Sequence, residues 1–135
     1  MKKFFLIFLL LSFLIISCSS PKEFKIGEIY LGTYKDNAFQ KGIFSAKDNI
    51  YVMIDYITGL KILNDHIQPE IVIEIKELNY RESYLGNKIN TKSRTISQPI
   101  FPIGKLNKGN YTLKITVKDR LAKTRISKEI KISIK

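Results

Sequence analysis

Asn110-Tyr111-Thr112-Leu113-Lys114-Ile115-Thr116-Val117-Lys118 alternates apolar and polar residues without a break. In an extended chain successive side chains point to opposite faces, so Tyr111, Leu113, Ile115 and Val117 line one face and Thr112, Lys114, Thr116 and Lys118 the other. Wound as a helix, the same residues would scatter their apolar positions around the axis. The stretch therefore reads as a strand with one dry and one wet face. The run that follows repeats the habit: Ile126, Ile130, Ile132 and Ile134 share one face and Glu129, Lys131, Ser133 and Lys135 the other. Asp119 to Lys123 between them is short enough for a hairpin connection.

Upstream, Glu70 to Leu78 shows the same alternation, with Ile71, Ile73 and Ile75 inward and Glu70, Glu74 and Lys76 outward. Ile50 to Ile57 is apolar on both sides, as a central strand would be, with Ile50, Val52, Ile54 and Tyr56 on one face and Tyr51, Met53 and Ile57 on the other. Further strands are expected near Phe24 to Tyr34, Ile43 to Ser45, Lys88 to Asn90 and Arg94 to Gln98, each bounded by Gly, Asn, Asp or Pro. No helical periodicity competes and no repeat is visible. The fold class expected is all-β, a single antiparallel β-sandwich.

Leu106-Asn107-Lys108-Gly109-Asn110-Tyr111 resembles the tyrosine corner of immunoglobulin-like sandwiches. That resemblance implies that Tyr111 returns its hydroxyl to backbone a few residues upstream. With it come Phe44 to Ile50 (aromatic-x-x-x-Asp-Asn-apolar), the glycine link Thr58-Gly59-Leu60, a proline-rich approach Pro99-Ile100-Phe101-Pro102, and Lys118-Asp119-Arg120-Leu121 after the strand. Together they are similar to the immunoglobulin-like modules of bacterial secreted proteins, over residues 24–135. Leu113 stands where antibody domains place a cysteine, and the chain has no Trp. The likeness is thus to an architecture, which does not carry a function with it.

The chain begins Met1-Lys2-Lys3, continues apolar from Phe4 to Ile16 apart from Ser12, and closes the segment with Ile15-Ile16-Ser17-Cys18. The run is shorter than the roughly 20 residues a spanning helix needs. Its order resembles the signal peptide of bacterial lipoproteins. The resemblance implies cleavage before Cys18, diacylation of that residue, and a cell-envelope location facing periplasm or exterior. Ser19, rather than Asp, implies the outer membrane where the host has one. The organisation expected is a signal peptide at 1–17, a lipidated Cys and short tether at 18–23, and a sandwich at 24–135. Two acyl chains hold a protein firmly where one gives only marginal residence. Cys18 is the only cysteine, so no disulfide is expected and packing alone must stabilise the domain.

Removing residues 1–17 from 135 leaves 118, one domain's worth. Lys and Arg number 23 against 12 Asp and Glu; losing Lys2 and Lys3 leaves 21 against 12, a formal charge of +9. Nucleic acid is the wrong partner for an exported protein. A bilayer surface or another anionic envelope component suits this charge better. Catalysis has little to stand on: His66 is the sole histidine, expected solvated in a loop at Asn64 to Gln68, and Asp36, Asp48 and Asp55 show no mutual spacing. No nucleophile, metal-ligand or phosphate-loop motif is present, so neither enzyme activity nor a metal or cofactor is expected.

Two segments stand out as interaction loops. Asn79 to Asn87 combines Tyr80, Arg81 and Tyr84, residue types that dominate interface hot spots; the alternative is a hairpin connection whose tyrosines cover a sheet edge. Arg120, Lys123 and Arg125 concentrate cations after the clearest strand, as Lys88, Lys92 and Arg94 do earlier. The expected function is a non-enzymatic, membrane-anchored envelope lipoprotein that binds a protein or anionic component. The alternatives are an assembly subunit docking through a strand edge or sheet face, then a hydrolase or inhibitor.

Overall fold

The computed structural model describes residues 23–33, 38–40 and 43–135, with backbone alone for Ala38–Gln40. The expected signal peptide, Cys18 and the tether as far as Lys22 lie outside the described residues. The strands are β1 (Lys25–Ile26), β2 (Ile29–Thr33), β3 (Ala38–Gln40), β4 (Ile43–Phe44), β5 (Ile50–Ile54), β6 (Tyr56–Thr58), β7 (His66–Ile67), β8 (Pro69–Ile75), β9 (Tyr80–Leu85), β10 (Ile89–Asn90), β11 (Ile96–Ser97), β12 (Ile100–Gly104), β13 (Gly109–Asp119) and β14 (Thr124–Ile134). Five of them form one layer in the order β4-β14-β13-β8-β9, and four form the other in the order β12-β5-β2-β3.

The two alternating runs pair along their whole length, from Gly109 opposite Ile134 to Asp119 opposite Thr124. β8 pairs on the other flank of β13, which makes β13 central and explains its buried row Tyr111, Leu113, Ile115 and Val117. The chain passes from β5 in one sheet to β8 and β9 in the other, returns to β12, and crosses again to β13 and β14. That crossover pattern, with β4 running parallel to β14, makes the molecule an all-β, immunoglobulin-like sandwich.

Ile29, Leu31, Val52, Ile54 and Phe101 from one sheet share a single core with Ile71, Ile73, Ile75, Leu113, Ile115 and Val117 from the other. Burying each such side chain contributes about 1.5–3 kcal/mol. The tyrosine corner is present: the Tyr111 hydroxyl donates to the Asn107 carbonyl at 2.8 Å. Gly109 lies beside the returning phenol, where a Cβ would stand in van der Waals contact 3.4 Å from the hydroxyl.

A small ladder, β1-β6-β11, continues the four-stranded sheet beyond a bend. There the Gly27 N–H donates to Tyr56 O (2.8 Å), Asp55 N–H to Glu28 O (2.9 Å), Gln98 N–H to Asp55 O (3.0 Å) and Ile54 N–H to Pro99 O (3.1 Å). Three neighbouring strands thus break at one level without losing their hydrogen bonds. Asp55 shifts the alternation by one residue, so Ile57 is buried like Ile54 and Tyr56 turns outward, the reverse of the faces expected for Ile50 to Ile57. The same bend divides the expected strand Phe24 to Tyr34 at Gly27–Glu28 and shortens Arg94 to Gln98 to β11.

Besides the short β3 and β7, two longer strands were hidden in the sequence. Pro99 to Pro102, expected as an approach, overlaps β12, which tolerates proline because it is a sheet edge and carries an irregularity between Pro102 and Gly104. Asn79 to Asn87, expected as a loop, is mostly β9, paired with β8 from Tyr80 opposite Ile75 to Leu85 opposite Glu70. Glu70 to Leu78 in turn ends as a strand at Ile75, where a 3-10 turn, Lys76–Leu78, and a left-handed Asn79 reverse the chain.

Candidate anion-binding cleft

The β13–β14 hairpin closes on Asp119, a buried carboxylate. Its Oδ1 accepts the N–H groups of Leu121 (3.1 Å) and Ala122 (3.2 Å), and its Oδ2 accepts the Lys61 N–H at 2.8 Å. One side chain thereby shapes the turn and ties the hairpin tip to the chain leaving β6. With the tip fixed, the alternation of β13 and β14 places Lys118 opposite both Arg125 and Glu70 on the outer face.

Lys118, Arg120, Lys123, Thr124 and Arg125, together with Glu70 and Asp119, line an open cleft of about 520 Å³. Arg120, Lys123 and Arg125, singled out from sequence, are therefore brought together. Lys118 joins them; its outward position was legible, and its pairing with Arg125 follows once the hairpin is centred on Leu121–Ala122. Of the acids, Asp119 is consumed by backbone N–H groups, and Glu70 accepts the Ser83 hydroxyl at 2.8 Å while Arg120 Nε stands 4.0 Å away. Arg120 also donates to Gly86 O at 3.0 Å, which holds its guanidinium over the cleft rim. Four cations facing one partly satisfied carboxylate suit an anionic ligand, such as a phosphate or carboxylate, held by charge-assisted hydrogen bonds.

A search of family models and of curated proteins matches nothing to this chain.

Tyr80, Arg81 and Tyr84 do not join the cleft as a recognition loop. They lie along β9, where alternation turns the tyrosines inward against the core and leaves Arg81 outside, 3.1 Å from Glu74. Tyr84 stacks at 4.9 Å on Phe101 and donates its hydroxyl to Pro102 O at 2.8 Å, fastening β9 to β12 across the sandwich. Burial, with a hydrogen bond to Tyr84, pushes the Tyr80 phenol up to about 12. His66 also departs from expectation: it is 7% exposed in β7, paired with β10, with Nε2 lacking a hydrogen-bond partner. No group of three or more His, Cys, Asp or Glu is placed to hold a metal among the described residues.

The outer face of the five-stranded sheet carries the cross-strand ion pairs that its composition suggests. Lys76 Nζ reaches Glu129 at 2.6 Å, and that contact holds the Glu129 carboxyl below its ordinary range and the Lys76 ammonium above its own. These exposed pairs balance charge locally and contribute little stability. At the hairpin end four cations stand with two acids.

Proposed function

We propose that the protein is a non-enzymatic, lipid-anchored cell-envelope lipoprotein whose immunoglobulin-like domain binds an anionic envelope component through the cleft of Lys118, Arg120, Lys123 and Arg125. The convergence of these four cations around one concave surface is the observation that carries this reading. The anchor rests on the sequence Ile15 to Cys18. Both cleft carboxylates are engaged by neighbouring donors, which disfavours a paired-acid hydrolase.

Retention on immobilised polyphosphate, an anionic polymer without lipid, tests the cleft. The wild-type chain should elute at higher salt than a variant carrying Lys118→Gln, Arg120→Gln, Lys123→Gln and Arg125→Gln, with similar thermal midpoints. Elution of both at the same salt would overturn the assignment. One observation favours the second reading, an assembly subunit: among the described residues Thr124 to Ile132 of β14 pairs only on its β13 side, leaving a long strand edge beside half-buried Ile126 and Ile130.

A further inference from the structure

The chain emerges onto the sandwich at the same end as the cleft. Lys25 pairs with Thr58, and Gly59, at φ +76°, lies so close to the Glu23 carbonyl that a Cβ there would stand 2.2 Å from it. Two residues on, Lys61 is bonded to Asp119 at the hairpin tip. Leu60 N–H donates to Arg94 O at 3.1 Å, Thr91 N–H to Asp65 O at 2.9 Å, and Arg120 N–H to Gln68 O at 3.0 Å. The point where the tether leaves, the Lys88 to Arg94 segment and the Arg120 to Arg125 hairpin are thus neighbours on one end, although they are far apart in sequence.

That end is both basic and locally apolar. Lys88, Lys92, Arg94, Arg120, Lys123 and Arg125 are all exposed there. Leu63 and Leu85, 48% and 44% exposed, stand among them, Leu63 at the turn before β7 and Leu85 at the end of β9 beside Gly86. Cations draw a surface toward anionic headgroups, while exposed leucines gain only where an apolar layer lies beneath. A hydrated polymer would satisfy the first group and leave the second in water.

From Cys18 to Glu23 the chain can span at most roughly 17 Å at about 3.4 Å per residue. That reach is within about two Debye lengths at physiological salt. A tether so short keeps this end near the surface in which its lipid sits, so the surface charge is met at high effective concentration.

We infer that the tether end, with its two basic segments and with Leu63 and Leu85, docks on the anionic bilayer that holds the lipid anchor. The inference rests on the lipoprotein reading above and names the anionic component as the headgroup surface itself. The domain would then stand with its β13–β14 hairpin down and the opposite end, with Lys105, Lys108 and Lys135, away from the membrane.

Among the described residues, all buried core residues fall between Ile26 and Ile134, so a chain starting at position 18 with Cys18→Ser retains the described core and reports docking without the lipid. Its co-sedimentation is measured with vesicles of phosphatidylcholine alone and of phosphatidylcholine mixed with phosphatidylglycerol. Binding is expected to the anionic vesicles only, and to weaken as salt rises from about 0.1 to about 1 M, where the Debye length falls from about 10 to about 3 Å. Replacing either Lys88, Lys92 and Arg94 or Arg120, Lys123 and Arg125 with Gln should weaken binding by about a hundredfold, from about 1 kcal/mol per cation at about 1.4 kcal/mol per tenfold. Leu63→Ser with Leu85→Ser should weaken vesicle binding while leaving polyphosphate binding unchanged. Gln at Lys105, Lys108 and Lys135 should change neither.

Equal binding to both vesicle types, or an equal loss from the opposite-end variant, would overturn the inference. Retention on polyphosphate without vesicle binding would overturn it while leaving the anion-binding cleft standing. Binding to neither would overturn both.

Discussion

Tyr111 does two things at once: its ring fills the core and its hydroxyl closes the turn that begins β13. Phe at this position keeps the ring and loses the bond to Asn107, which should cost about 1 kcal/mol. Ala loses the ring as well, and about 3–5 kcal/mol is expected. A denaturant titration of the three chains checks this; Phe and Ala costing the same would mean that the ring contributes nothing. Tyr80 and Tyr84, half-buried on β9 rather than in a loop, should fall between, at about 1–3 kcal/mol for Ala. His66 teaches the same lesson in reverse. A lone polar residue between Asp65 and Ile67 reads as solvated, but pairing of β7 with β10 encloses it.

β9 is held by side chains as much as by its ladder. The Tyr84 hydroxyl bonds Pro102 O and its ring meets Phe101 on the facing sheet, while Tyr80 packs against the core from the same strand. Because folding lifts the Tyr80 phenol from 10 to about 12, mainly by burying it, the folded state favours the neutral form. The associated stability is fully present below pH 10 and is lost as pH rises through about 12. Phenolate absorbance should show one tyrosine ionising near 12 in the folded chain, and Tyr84→Phe should bring that transition down by removing the hydrogen bond while leaving the burial. An unchanged transition in Tyr84→Phe would remove the hydroxyl from the argument. Arg81 and Glu74 on the outer face and Glu82 on the rim keep this edge charged, which discourages pairing with a second strand.

At the scale of the molecule, charge is distributed unevenly over the sandwich. Ion pairs lie on the outer face of the five-stranded sheet, Lys76 with Glu129 and Arg81 with Glu74, and at the hairpin end four cations stand with Glu70 and Asp119. The proposed anchoring concerns the whole chain and has its own test. Native protein should partition into detergent and carry acyl mass on Cys18, whereas Cys18→Ser in the full chain should leave an unlipidated precursor. A mature chain that starts elsewhere and carries no acyl mass would sink the lipoprotein reading and, with it, the reason for placing the hairpin end against a bilayer.

Strict alternation in Asn110 to Lys118, repeated apart from Lys128 in the run ending at Ile134, was enough to determine the central hairpin, its dry face and the all-β class, because period two has one physical reading when one face is buried. The corner at Tyr111 was legible for a similar reason: a glycine two residues before a core tyrosine is a local device. β9, β12 and the swap at Asp55 were not legible. An edge strand buries part of one face, so Tyr80-Arg81-Glu82-Ser83-Tyr84-Leu85 shows no clean alternation, and a bend shared by three strands appears only when they lie side by side. The candidate cleft divides in the same way. The sequence alone supplied Arg120, Lys123 and Arg125 as a local cluster. Only the tertiary structure set Lys118 among them, engaged Asp119 and Glu70, and brought Glu23, Arg94 and the hairpin to one end, because that neighbourhood depends on hydrogen bonds between segments dozens of residues apart.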